Sequence, residues 1–189
     1  MSKAKIFSGS QKQKLEISSV LNWDNVRALG KPTTVERGVV KGFSLPVYNN
    51  DDEELFFASH IPQRWDGESD IYIHVHCYLA GAEDDHAFRL QITWEHYKPH
   101  TNGIIPNTSN EVEVETLTGA LAAQFKSFEV DFVIDYDIDG GGSEITVGEE
   151  LAFRLIRVAE EGAKDECDAG IVVTHVGVVF NRDKLGSNI

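Results

Sequence analysis

From Leu55 onward the chain repeats with a period of two. Leu55, Phe57, Ser59 and Ile61 share one parity, with Phe56, Ala58 and His60 on the other. Ile71, Ile73, Val75, Cys77 and Leu79 alternate with Tyr72, His74, His76 and Tyr78. Phe88, Leu90, Ile92, Trp94 and His96 alternate with Arg89, Gln91, Thr93, Glu95 and Tyr97. Apolar residues on one parity predict strands with one face buried and the other wet. The pattern resumes beyond Pro99–Asn110. Glu111, Glu113 and Glu115 alternate with Val112 and Val114, and Phe128, Val130, Phe132, Ile134 and Tyr136 oppose Glu129, Asp131, Val133 and Asp135. Leu151, Phe153 and Leu155 form another inward row, and Ile171–Phe180 is nearly continuous in β-branched residues, as in a central strand covered on both faces.

With a further strand at Val39–Val47 the count is about eight. Gly119–Phe125 predicts one short helix, and Asp24–Gly30 a single helical turn stopped by Gly30 and Pro32. No long amphipathic helices separate the strands, which excludes a βαβ architecture. Uneven connections such as Pro99–Asn110 and Ala159–Ala169 suit crossing links better than tight hairpins. The prediction is an all-β, antiparallel jelly-roll β-sandwich over residues 21–189, preceded by an extended basic arm over residues 1–20.

Charge sharpens this division. The first fourteen residues carry Lys3, Lys5, Lys12 and Lys14 and no acid, which leaves 13 of the 17 bases against all 31 acids in the remainder, a net −18. A body that acidic repels phosphate backbones, so nucleic acid is not an expected partner of its surface. No apolar run reaches the roughly 18 residues of a membrane helix, and the start of the chain has no apolar stretch of signal-peptide length, so neither a membrane nor secretion by that route is expected. Cys77 and Cys167 are too few for a disulfide framework and read as reduced thiols, Cys77 in the core. The arm, with its apolar pair Ile6-Phe7, reads as a segment that laces onto a partner.

Two patterns bear on chemistry. His74-Val-His76 sets two imidazoles about 6.6 Å apart on one strand face, a spacing that suits a metal in cupins. A cupin-like site also needs a glutamate a few residues on and a later histidine; Glu83 lies past the strand, and His175 lacks a cupin-like motif ahead of it. The pair therefore reads as part of an aromatic, polar stripe of Tyr72, His74, His76 and Tyr78 that packs on a partner, with no catalytic, metal or cofactor role. Asp135-Tyr-Asp137-Ile-Asp139-Gly140 begins like a calcium loop, but Thr146 stands where a bidentate glutamate is required, so the segment reads as a strand end followed by a glycine turn. Neither a Gly-x-Ser-x-Gly elbow nor a phosphate-cradling glycine loop occurs.

Pro62-Gln-Arg-Trp65-Asp66-Gly67-Glu-Ser-Asp70 leads into Ile71-Tyr-Ile-His74-Val-His76. A Trp-Asp-Gly turn between a strand ending in Ile-Pro and a strand reading His-Val-His resembles a group of tailed-bacteriophage virion proteins, in which a short polar arm precedes a jelly roll. Thr93-Trp94-Glu95 and Leu185-Gly186 also suit that group, and the resemblance spans roughly Leu55 to Leu185. It implies a capsid cement or decoration protein, often trimeric, assembled in the host cytoplasm and clamped outside the shell over joints between major capsid subunits. It brings no catalytic residues. The expected partners are the major capsid protein and further copies of the chain. The expected contacts are Lys3, Lys5, Ile6, Phe7, Lys12 and Lys14 of the arm and the stripe, whose histidines would make the interface acid-sensitive. The alternative is a carbohydrate- or receptor-binding sandwich of a phage tail or fibre, with exposed Tyr48, Tyr97 and Trp65 stacking on sugars. A third reading, a cupin-like metalloenzyme, needs the two histidines to converge with another ligand.

Overall fold

The computed structural model describes residues 13–18, 22–23, 33–45, 54–99, 109–137, 144–158 and 166–182. Within them the chain forms eleven strands: β1 (Gln13–Ser18), β2 (Asn22–Trp23), β3 (Thr33–Arg37), β4 (Val40–Leu45), β5 (Glu54–His60), β6 (Ile71–Leu79), β7 (Ala87–Tyr97), β8 (Asn110–Leu117), β9 (Ser127–Ile134), β10 (Glu150–Arg157) and β11 (Ile171–Arg182). One sheet runs β3-β4-β11-β6-β9, with β1 also on β11, and the other runs β2-β5-β10-β7-β8. Every pairing is antiparallel. The order β4-β11-β6-β9 facing β5-β10-β7-β8 is that of a jelly roll, in which consecutive strands cross between the sheets. The all-β sandwich expected from the alternation is the fold observed.

The core lies where the alternation places it. Ile71, Ile73, Val75 and Leu79 from β6, Phe132 from β9 and Val176, Val178 and Phe180 from β11 face Leu55, Phe88, Leu90, Ile92, Leu151 and Leu155 of the second sheet, all fully buried. Fully burying such a side chain contributes about 1.5–3 kcal/mol. Phe57 stacks on Phe153 with ring centroids 4.6 Å apart, and Phe88 meets Phe128 edge-on at 5.7 Å. Cys77 and Cys167 are both buried and outside any disulfide, and burial pushes the Cys77 thiol up to about 12.

The structure corrects two local expectations. Gly119–Phe125 forms turns rather than a helix, because Leu121 and Phe125 take φ of 52° and 71° in the left-handed region, which a right-handed helix does not admit. The boundary between arm and sandwich also falls earlier than residue 21. β1 pairs with β11 from Gln13↔Arg182 to Ser18↔Gly177, with Ile17 packed on the core. Lys3, Lys5, Ile6, Phe7 and Lys12 lie outside the described residues, as do the helical turn expected at Asp24–Gly30, Tyr48, and Asp139 and Gly140 of the calcium-like segment. Of that segment, Asp135 accepts a hydrogen bond from the Asp137 amide at 3.0 Å.

The Trp-Asp-Gly segment is a staple of the fold. Trp65 is buried and its Nε1 donates to the Ser69 carbonyl at 3.2 Å. Asp66 Oδ1 accepts from the amides of Glu68 and Ser69 and from the Ser69 hydroxyl, an Asx turn that returns the chain toward β6. Gly67 has a φ of 73°, which a side chain would strain. The Asp66 amide donates to the Asn181 carbonyl at 3.1 Å, tying the turn to the end of β11.

Candidate functional site

His74 and His76 leave β6 on the outer face of the first sheet, the face opposite the core. In the β6–β9 register His74 stands opposite Asp131 and His76 opposite Glu129. His74 Nδ1 lies 2.6 Å from Asp131 Oδ1 and 3.1 Å from Glu129 Oε1, and His76 Nε2 lies 3.8 Å from Glu129 Oε2. Two carboxylates thus meet these imidazoles from the neighbouring strand rather than from further along β6. Glu83, the glutamate that the pattern suggested, pairs with His86 Nδ1 at 2.9 Å, away from this face.

A third imidazole joins through a bulge. The β11–β6 register shifts between Val173 and His175, so the extra residue reverses the parity of β11. His175 is thereby turned outward beside His76, ring centroids 5.2 Å apart and edge-on, and Val176 and Val178 are turned to the core. On the far side Glu16 of β1 lies 3.6 Å from His175 Nε2. Gly177 leaves room for this, since a Cβ there would collide with the Glu16 carboxylate. Glu16, His175, His76, Glu129, His74 and Asp131 thus form one acid–imidazole row across four strands. Lys14, also on β1, sits over the Tyr72 ring at 5.7 Å. Exposed Val133 is the register partner of Tyr72 on β9.

Tyr78 departs from the expected stripe. It is only 7% exposed, covered by Phe125 with ring centroids 6.0 Å apart, and Arg37 caps Phe125 in turn. The left-handed backbone at Phe125 folds its ring back over the strand. A groove of about 430 Å³ opens beside this stack, lined by Arg37, His76, Tyr78, Phe125, Glu129 and Thr174. The Tyr78 hydroxyl at its wall has no hydrogen-bond partner among the described residues.

The outer face of the second sheet is a charged lattice. Arg89 reaches Glu113 and Glu115, each at 2.6 Å, and Arg154 bonds Glu54 at 3.2 Å and Thr93 at 3.0 Å. Of the three aromatics expected to stack on sugars, Trp65 is instead core, Tyr97 is half-buried, and Tyr48 lies outside the described residues.

At one end of the sandwich His96 Nδ1 and Glu149 Oε2 form a nearly buried pair at 2.8 Å, with Lys98 3.6 Å from the other carboxylate oxygen. Burial pushes the Glu149 carboxyl up, but the Thr146 amide and His96, together with the Thr146 hydroxyl, outweigh it and hold the group below its ordinary range. A carboxyl held low in the folded state stabilises the fold above its unfolded pKa, and that stability is lost as the pH falls through the folded value. Glu149→Gln is expected to cost about 1–2 kcal/mol at neutral pH. Thermal unfolding of the two proteins from neutral to acidic pH should show the difference shrinking as Glu149 protonates.

No protein-family model matches the chain, and no curated protein does. Among solved structures, the chain is similar to the xylan-binding module CBM15, at 12% identity and a TM-score of 0.43 over 91% of this chain and 99% of that one. It is also similar to a carbohydrate-binding module specific for non-crystalline cellulose, at 13% identity and a TM-score of 0.40 over 86% of each chain. A family 11 carbohydrate-binding module from Clostridium thermocellum, in complex with a mixed-linked tetrasaccharide, aligns at 12% identity and a TM-score of 0.40 over 91% of each chain.

Proposed function

We propose that this chain is a non-enzymatic structural protein of a phage virion, seated on the outside of the capsid, where it cements neighbouring major capsid subunits and associates with its own copies as a trimer. The observation that supports this reading is the meeting of two features far apart in sequence. The strand that follows the basic arm and the strand of the Tyr72–His74–His76 stripe flank β11 on one sheet face, with Lys14 over the Tyr72 ring and Glu16 beside His175 of β11. A surface of this kind, with exposed Val133 beside Tyr72, offers aromatic, apolar and charged groups to a protein partner. The acidic remainder suits the outside of a shell, away from packaged nucleic acid. A cement needs no single strong contact, because each modest interface is repeated over the particle.

The reading is tested with a double variant, Tyr72→Ser with Val133→Asp, and with deletion of residues 1–12. Tyr72 and Val133 lie on the outer face and the deletion stops short of β1, so melting temperatures are expected to stay close to that of the parent chain. Each is expected to weaken co-sedimentation with capsids by at least about tenfold, the loss of about 1.4 kcal/mol of binding energy. Undiminished capsid binding by both variants would remove this face and the arm as the contact. Glycan binding in place of capsid binding would favour the tail or fibre alternative.

A further inference from the structure

We infer that the outer face of the first sheet holds a site for a divalent transition-metal ion of the zinc class, with His74, Glu129 and Asp131 as its side-chain ligands. One ligand atom from each lies within 4.8 Å of the other two. An ion bonded at about 2.0–2.2 Å needs its ligand atoms roughly 3–4 Å apart, so small side-chain rotations close the site. Cross-strand pairing holds both strands in place for it, His74 directly opposite Asp131 and Glu129 two pairs along, opposite His76.

The electrostatics favour a cation here. Glu129 and Asp131 lie two residues apart on one strand face and aim at the same imidazole nitrogen, at 3.1 and 2.6 Å. A single Nδ1–H is shared between two carboxylates in that arrangement. A dication between the three groups satisfies both carboxylates and accepts the imidazole lone pair. The other described imidazole–acid contacts on separate faces, His60 with Glu150, His86 with Glu83 and His96 with Glu149, each join one carboxylate. The donor set decides the class of ion. One nitrogen and two carboxylate oxygens suit zinc, manganese, cobalt or nickel, whereas calcium and magnesium prefer oxygen alone. His76, 3.8 Å from the second oxygen of Glu129, is placed to hold that carboxylate or to join as a further ligand. Bound metal would pin β9, the outermost strand of its sheet, to β6. The inference stands whether or not the partner of this face is a capsid.

The full chain should be equilibrated with zinc chloride, desalted, and its metal content measured beside that of His74→Gln, Asp131→Asn and Glu129→Gln. His60→Gln, which removes an imidazole from a single-carboxylate pair, is the control. The parent chain and the control are expected to retain one equivalent of zinc, and the three ligand variants to lose it. Free zinc at about 100 times its Kd should raise the melting temperature of the parent chain by roughly 5–10 °C. Cobalt should give a visible absorption band that His74→Gln alters. Absence of retained zinc in the parent chain, equal retention in all variants, or a preference for calcium over zinc would each overturn the site.

Discussion

Trp65→Ala is expected to lower the stability of the sandwich by about 3–5 kcal/mol, the range for a large aromatic removed from a packed interior. For a chain of this size, where each kcal/mol moves the midpoint by about 2–4 °C, the melting temperature should fall by roughly 6–20 °C. The ring is 4% exposed and belongs to the core cluster, so its removal opens a cavity at the point where β5 hands over to β6. The loss is not only one of packing. The Nε1 bond to Ser69 closes the same turn that Asp66 organises, and the Asp66 amide anchors that turn to β11. Trp65→Phe keeps most of the apolar volume and gives up the hydrogen bond, and should show a smaller loss. Urea unfolding of the three proteins checks the order. A Trp65→Ala midpoint matching that of the parent chain would mean that the turn holds without its staple.

The second large effect is expected at Arg157. This side chain is buried where β10 ends, and its guanidinium donates to the Ala169 carbonyl at 2.8 Å and to the Cys167 carbonyl. Both acceptors lie in the segment that leads into β11, so one cation holds the approach to the central strand. Arg157→Ala leaves those buried carbonyls short of their charged donor and is expected to cost about 3 kcal/mol, from roughly 1–3 kcal/mol for each unsatisfied group. Arg157→Lys retains a charge but lacks the planar fork that serves two carbonyls together, and should fall between the two. Differential scanning calorimetry distinguishes these outcomes. Equal midpoints for the parent chain and Arg157→Ala would show that the segment is held by other contacts.

The alternation of β6, β7 and β9 made the sheets and their inner rows legible in the sequence, because a period of two assigns each side chain a face. It does not say which strands become neighbours. Glu129 and Asp131 were recognisable as outward acids and His74 and His76 as outward imidazoles, yet only the β6–β9 register brings them together. His175 was hidden in another way. The bulge after Val173 reverses parity within a run of β-branched residues, where hydrophobicity gives no sign of the extra residue. Tyr78 kept its parity but lost its exposure, because a left-handed backbone at Phe125, unusual for a bulky side chain, turns a turn residue into a lid. β1 did carry a signal. Leu15 and Ile17 alternate with Lys14 and Glu16, but the polar residues around them outweighed that short alternation. An Asp-Gly turn reads as solvent-facing, whereas here the turn folds Trp65 inward.

The central claim is that the outer face of the first sheet is a docking surface for a capsid. Electron cryo-microscopy of the full chain mixed with phage capsids assembled from a major capsid protein tests it most directly. The expected result is trimeric density over the joints between capsid subunits, with Tyr72, His74 and Val133 turned toward the shell and the acidic second sheet toward solvent. Bare capsids with the chain left free in solution, or density bound through the second sheet, would contradict it.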